Sequence, residues 1–375
     1  MRQLIDVPAG LDGVAVTNTE IGAVHGDEGF YHYRQYDAVD LARTVGLEDV
    51  WFLLDHGELP NVTEREDWRA ELAVKRYVPE AVLPLIDAIA RTDAAPLAQL
   101  RTVLSSSAGP LGLSPLYDIG PSERRAQAWR LAAIVPVVLG QLHRRVQGAD
   151  PVPSDPSLGH AAAYLQQVSG EVPSAKHVRA LEQYLILTVD HGFNASTFTG
   201  RVVASTGADI ADVVCAAIGA LAGPLHGGAP SRALDALDAI GEPERAAAWV
   251  RGEVAAGRRI MGFGHAVYRA PDPRSGMLRA VAGELGGPLV ERAIAIETEI
   301  LTTLAEIKPD RPLPSNVEFY AGVIMETVGL PRVMFTPTFA VSRVIGWAAH
   351  ALEQAAESKI IRPSSRYTGP PLMPM

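Results

Sequence analysis

One cysteine in 375 residues rules out a disulfide within the chain and fits a reducing compartment. Cys215 lies in the apolar run Val213-Val-Cys-Ala-Ala-Ile218 and reads as a small buried hydrophobe. Positive charge is also short: 33 Lys and Arg against 43 Asp and Glu give a net charge of -10. Without a long basic block, a nucleic-acid partner is not expected. No uncharged apolar run reaches the roughly 20 residues that span a bilayer. The run over 131–143 carries Pro136, and Met1-Arg-Gln-Leu-Ile-Asp6 has no apolar signal core. Nor is there an HxxH or CxxC spacing to hold a metal. These absences leave the expectation of a soluble, cytoplasmic protein with no membrane partner and no metal.

What is present is an ordinary globular composition, 47% hydrophobic and 20% charged, long enough for two domains. Residues 11–36 hold Val14, Val16, Ile21 and Phe30-Tyr-His-Tyr33 around the turn at 26–29, which predicts a small antiparallel sheet. From there the apolar period is helical. It predicts helices over 37–45, 47–56, 64–76, 79–90, 97–104 and 123–147, the last kinked at Pro136. Further helices are expected over 158–168, 174–189, 210–221, 229–240, 244–256, 277–285, 290–306, 317–328 and 338–356. Ser105-Ser-Ser-Ala-Gly-Pro110 reads as a break. No internal repeat of fixed period is present. The class is mainly α with a minor N-terminal sheet.

Four stretches place polar groups among glycines and prolines: Asp190-His-Gly-Phe-Asn-Ala-Ser-Thr197, Gly223-Pro-Leu-His-Gly-Gly-Ala229, Met261-Gly-Phe-Gly-His-Ala-Val-Tyr-Arg-Ala-Pro-Asp-Pro-Arg274 and Leu313-Pro-Ser-Asn-Val-Glu-Phe-Tyr-Ala-Gly322. Taken singly, each also reads as an ordinary turn or helix start. Glycine lets backbone approach a ligand, and arginine forks fit carboxylate or phosphate. Arg258, Arg259, Arg269, Arg274 and Arg279 cluster in the sequence with only Asp272 opposing them. Glu318 stands between Val317 and Phe319, where desolvation would raise its pKa toward the range of a general base. Arg343, in Phe339-Ala-Val-Ser-Arg-Val-Ile-Gly-Trp347, would be buried and need an anion. Histidines, one carboxylate and arginines together suit organic-acid chemistry better than metal chemistry.

In this order and at these intervals, the four stretches resemble the citrate synthase family. The likeness is clear over 185–367 and weaker, though compatible, before that. It implies a two-domain helical fold working as a homodimer. Residues 1–227 and 330–375 would form the large domain and 228–329 the small one, with the active site in the cleft between them. It implies an acyltransferase that condenses acetyl-CoA with oxaloacetate, hydrolyses citryl-CoA and needs no cofactor. By resemblance, Glu318 is the base, His226 binds the thioester oxygen and His265 polarises the keto group. His191, Arg274 and Arg343 would hold oxaloacetate, with Arg362 supplied across the dimer interface. Gly262 and Gly264 would face the CoA adenine, and Arg269 a CoA phosphate.

Two positions depart from the family pattern. The base is usually aspartate, and the extra methylene of Glu318 displaces the carboxylate by about 1 Å, a shift that can cost about 10²-fold on an unchanged scaffold. Arg362 also lies one residue closer to Arg343 than the pattern expects, which makes Arg366 an alternative to it. Two other functions stay open. One is 2-methylcitrate synthase using propionyl-CoA, since one methylene is worth only about 1–3 kcal/mol in an apolar pocket. The other is a ligand-binding protein with little turnover.

Overall fold

The computed structural model describes residues 4–224, 226, 229–264, 268–357 and 359–374. Three short antiparallel strands come first: β1 (Gly22–His25), β2 (Phe30–Tyr33) and β3 (Tyr36–Asp37), in spatial order 1-2-3. Gly22 pairs with Tyr33 and His25 with Phe30. The extended segment before Ile21 joins no strand, so the sheet is shorter than the apolar alternation suggests.

Seventeen helices follow among the described residues. They are α1 (Ala38–Thr44), α2 (Leu47–His56), α3 (Val62–Lys75), α4 (Leu83–Ala90), α5 (Pro96–Ser106) and α6 (Ala108–Leu111). Next come α7 (Pro121–Val146), α8 (His160–Ser169), α9 (Ala175–Thr188), α10 (Ala195–Ala204), α11 (Ile210–Leu221) and α12 (Ala229–Ile240). Last are α13 (Ala246–Ala255), α14 (Pro273–Leu285), α15 (Pro288–Ile307), α16 (Val317–Thr327) and α17 (Phe335–Ala355). The expected class, mainly helical with a small sheet, is the one observed. Two elements were not expected. The short α6 forms through the Ala-Gly-Pro segment read as a break, and α10 runs over 195–204 from a helix start that the Asn194 cap bears out, though no helix of that length was expected there. α7 continues through Pro136.

Side chains set several helix starts. Asp37 accepts from Val39 and Asp40, Ser174 from His177, Asn194 from Ser196 and Thr197, Asp272 from Arg274, and Asn316 from Glu318. Each such cap is worth about 1 kcal/mol. Three of them (Asn194, Asp272 and Asn316) start the helices that carry the site.

The sheet decides where α9 ends. Tyr31 and Tyr33 share the buried face of β2. The Tyr31 hydroxyl donates to the Leu187 carbonyl at 2.9 Å, and that of Tyr33 to the carbonyls of Ile186 at 2.8 Å and Asp190 at 3.0 Å. These belong to or follow the last turn of α9, whose carbonyls have no partner within the helix. The chain leaves α9 into residues 189–194 with its direction already fixed.

The apolar α7 and α17 pack on each other, and α17 also packs on α9, α10 and α11. Gly346 of α17 lies so close to the end of α9 that a Cβ there would sit 2.2 Å from the Val189 carbonyl oxygen. Gly346→Ala should therefore force the two backbones apart and lower stability by about 1–3 kcal/mol, read as a lower urea midpoint. An unchanged midpoint would show that the helices part freely.

Candidate active site

The turn after α9 presents His191. Its Nε2 lies 2.9 Å from the Tyr268 hydroxyl, and its ring meets Tyr31 edge-on with centroids 5.2 Å apart. Gly192, at φ +61°, lets the chain reverse toward α10. Beneath it runs a buried polar chain. Asp190 accepts from the Gly192 N–H at 3.1 Å and from His350 Nε2 at 3.3 Å. His350 Nδ1 faces Arg201 at 3.2 Å, and Arg201 in turn reaches Glu353 and Gln354. Burial pushes the Asp190 carboxyl up, but His350, Arg343 and the Gly192 N–H outweigh it and leave the group below its ordinary value.

His226 is held by α10. Its Nε2 is 2.8 Å from Ser196 Oγ, which lies 2.7 Å from Asn194 Oδ1 and 3.3 Å from the Trp347 indole N–H. Burial, and then the nearby Arg343 charge, lower the imidazole pKa, so the ring is neutral at physiological pH. His265, expected beside it, lies outside the described residues.

Two guanidiniums are buried here. Arg274, 4% exposed, receives Asp272 as a fork, Nε to Oδ1 at 3.0 Å and Nη2 to Oδ2 at 2.9 Å. It also lies over the Tyr31 and Tyr268 rings, at 5.9 and 5.8 Å. Burial works against its charge, yet Asp272 more than compensates and its pKa is raised. Arg343, 2% exposed, donates from Nε to the Thr188 carbonyl at 2.8 Å and sits 4.6 Å over the Phe339 ring. Burial pulls its pKa down, and Asp190 opposes that. The anion expected for Arg343 is therefore Asp190 at the level of the field, while the hydrogen bond goes to a carbonyl.

Glu318 begins α16, with its N–H on Asn316 Oδ1 at 3.0 Å. Its side chain is half-buried, but enough protein encloses the carboxyl that burial pushes it up to about 7. Arg274 and Arg343 draw it down and Asp272 pushes it up. It thus shares one field with both guanidiniums.

Gly262 and Gly264 adopt φ +86° and +78°, a conformation natural only to glycine. Their loop is stitched to the start of α16. Asn316 bonds the Gly262 carbonyl through its N–H and the Gly264 carbonyl through its amide, both at 2.8 Å, and the Gly264 N–H donates to Pro314 at 2.7 Å. These hydrogen bonds tie the glycine loop to the turn that starts α16 and carries Glu318.

The remaining residues behave differently. Arg269 is exposed, with its backbone N–H on the Gly26 carbonyl at 3.0 Å. The suspected arginine cluster is not one basic patch, since Arg258 pairs with Glu253 and Arg279 with Glu297. Arg362 is exposed on the tail, and Arg366 pairs with Asp6 at 2.8 Å. Cys215 is half-buried rather than buried, with Sγ 3.3 Å from the Arg101 carbonyl and burial pushing the thiol up to about 12. Among the described residues no group of three His, Cys, Asp or Glu could hold a metal ion, and no helix is long and apolar enough to cross a membrane.

Sequence reasoning passed over Tyr31, Tyr268, Arg201 and His350. A buried arginine in α10 and a histidine in the apolar α17 were the available signals for the last two. The aromatic pair has no local signal, because its members stand 237 positions apart (268 − 31).

A family model described as citrate synthase, C-terminal domain, matches residues 10–364. The citrate synthase of Haloferax volcanii is 37% identical over 97% of this chain and 96% of its own length. The 2-methylcitrate synthase of Mycobacterium tuberculosis is 36% identical over 97% and 91%. Among solved structures, the ternary complex of the Thermoplasma acidophilum citrate synthase with carboxymethyl coenzyme A and oxaloacetate superposes with a TM-score of 0.89. It is 27% identical and covers 99% of this chain and 98% of its own.

Proposed function

The chain belongs to the citrate synthase family, a family of acyltransferases, and on that premise we propose that it condenses acetyl-CoA with oxaloacetate and hydrolyses the resulting citryl-CoA. The observation that carries this is the Glu318 carboxyl, at about 7, in one enclosed field with the buried guanidiniums of Arg274 and Arg343. Two cations shielded from water suit a small dicarboxylate. A carboxylate with that pKa suits removal of a carbon-bound proton near neutral pH.

In this reading Arg274, Arg343 and His191 hold oxaloacetate, and His265 polarises its keto group. Glu318 takes a proton from the acetyl methyl group. Neutral His226 hydrogen-bonds the thioester oxygen as the enol forms. The Ser196 hydroxyl, which donates to Asn194 Oδ1 at 2.7 Å, lies 2.8 Å from Nε2 and holds the ring in place for that contact. Gly262 and Gly264 offer backbone to the CoA adenine, and exposed Arg269 meets a phosphate. No cofactor enters any step.

The large domain comprises 1–227 and 330–375 and the small domain 228–329, with the site between them. Glu318 and Arg274 come from one and His191, His226 and Arg343 from the other, so closure would assemble them. The protein acts as a cytoplasmic homodimer. Arg362 crosses to the partner's site, a role for which Arg366, already paired with Asp6, is less suited. A relative named 2-methylcitrate synthase at 36% identity keeps propionyl-CoA as the second reading.

Thiol release from acetyl-CoA and propionyl-CoA with oxaloacetate tests the proposal. Turnover should favour acetyl-CoA. Since the base works only when ionised and burial has raised its pKa to about 7, the rate should climb through neutral pH toward a plateau above it. Equal or better use of propionyl-CoA would overturn the acetyl assignment, and no release with either would overturn the enzyme.

A further inference from the structure

We propose that Tyr184 is a positioning residue, whose hydroxyl holds the Glu318 carboxylate in place on the acyl group. The inference rests on the role assigned to Glu318 above.

Tyr184 lies on α9, one turn before Thr188, whose carbonyl anchors Arg343. Its side chain is 1% exposed, and its hydroxyl is buried with no hydrogen-bond partner among the described residues. Other buried tyrosines nearby are satisfied: Tyr31 and Tyr33 on carbonyls, Tyr164 on Thr338 at 2.8 Å. A buried hydroxyl left without a partner is disfavoured, so one that persists calls for an explanation. Among the charges acting on it, Glu318 comes first, followed by Arg343 and Arg274. α9, which carries Tyr184, packs on α14, α16 and α17, the helices that carry Arg274, Glu318 and Arg343.

Glu318 shows the complementary lack. Among the described residues its backbone N–H is bonded to Asn316, but its carboxyl accepts no hydrogen bond. One enclosed region thus holds a donor without an acceptor and a carboxyl without a donor. Glutamate has one more side-chain torsion than aspartate, so its carboxylate can take up more positions. A single donor fixed on a helix selects one of them. Burial holds Tyr184 protonated far beyond neutral pH, so it serves only as a donor. The arginines are committed differently, Arg274 to Asp272 and Arg343 to Thr188. The hydroxyl therefore completes the longer base.

Tyr184→Phe removes one oxygen and tests this by thiol release from the full-length protein. Expected is a fall in kcat of about tenfold, the effect of one hydrogen bond to a charged group. The KM for oxaloacetate should stay within about twofold. A hydrogen bond to the ionised form lowers a carboxyl pKa, so its loss should shift the acidic limb of the kcat profile upward by about one unit. In a Glu318→Asp background, where the carboxylate falls short of the hydroxyl, the same change should alter kcat less than about twofold. A raised oxaloacetate KM with kcat retained would make Tyr184 a substrate ligand and overturn the inference. So would an unchanged profile, or the same loss in both backgrounds. A collapse of cooperative thermal unfolding in Tyr184→Phe would make the hydroxyl structural and would overturn it too. The unsubstituted protein's own turnover separates this result from failure of the functional reading.

Discussion

Glu318→Gln should stop condensation while oxaloacetate still binds. The substitution keeps length and shape, and the α16 start is set by the Glu318 N–H on Asn316 rather than by the side chain. What disappears is the group that accepts the proton. General-base catalysis contributes about 10²–10⁴-fold, and among the described residues no other carboxylate stands ready to replace it. Asp272, the nearest in the field, has both oxygens committed to Arg274 and the Val317 N–H. A fall in kcat of about 10³-fold is therefore expected, measured as thiol release at a pH above the limb. Calorimetry should return an oxaloacetate affinity within a few-fold of the unsubstituted protein. The carboxylate repels a bound dicarboxylate only weakly while Arg274 and Arg343 stand between them in charge. Full activity would remove Glu318 from the mechanism. A large loss of oxaloacetate binding would show that it shapes the anion site instead.

Helices with strong apolar period are legible in the sequence alone, and α2 starts and stops at the residues expected, 47 and 56. α10 was not. Its Ala-Ser-Thr-Phe-Thr-Gly start has weak helix propensity, and packing against α11 and α17 overrides that. Val14 and Val16 misled in the other direction, because alternation predicts a strand only where a partner strand exists. The glycines, histidines and prolines of the site were visible because their chemistry is local. Their supports were not. The Tyr31 and Tyr268 rings around Arg274, and the chain from Asp190 through His350 to Arg201, join residues far apart in sequence. Nor could a pattern of letters reveal that Glu318 would be enclosed: its neighbours Val317 and Phe319 only made that plausible.

Asp272→Ala should cost the most stability of any single change at the site. One carboxylate does three jobs there. It caps α14 by accepting the Arg274 N–H at 3.0 Å, it forks the Arg274 guanidinium, and it accepts the Val317 N–H at 3.2 Å at the start of α16. Losing the cap alone costs about 1 kcal/mol. Taking the carboxylate away from a buried guanidinium costs about 3–5 kcal/mol, because the charge keeps its desolvation penalty and loses its nearest compensation. A drop of about 4 kcal/mol in urea unfolding follows if the terms overlap as neighbouring effects do. Asp272→Asn separates them: the amide oxygen can still cap α14, but the charge is gone, so it should fall between the two. Oxaloacetate should then protect the Ala variant, since it brings carboxylates to the same guanidinium and binds only the folded state. A loss below about 1 kcal/mol in the Ala variant would mean that the pair behaves like an exposed ion pair, and that other contacts, the rings of Tyr31 and Tyr268 among them, carry Arg274.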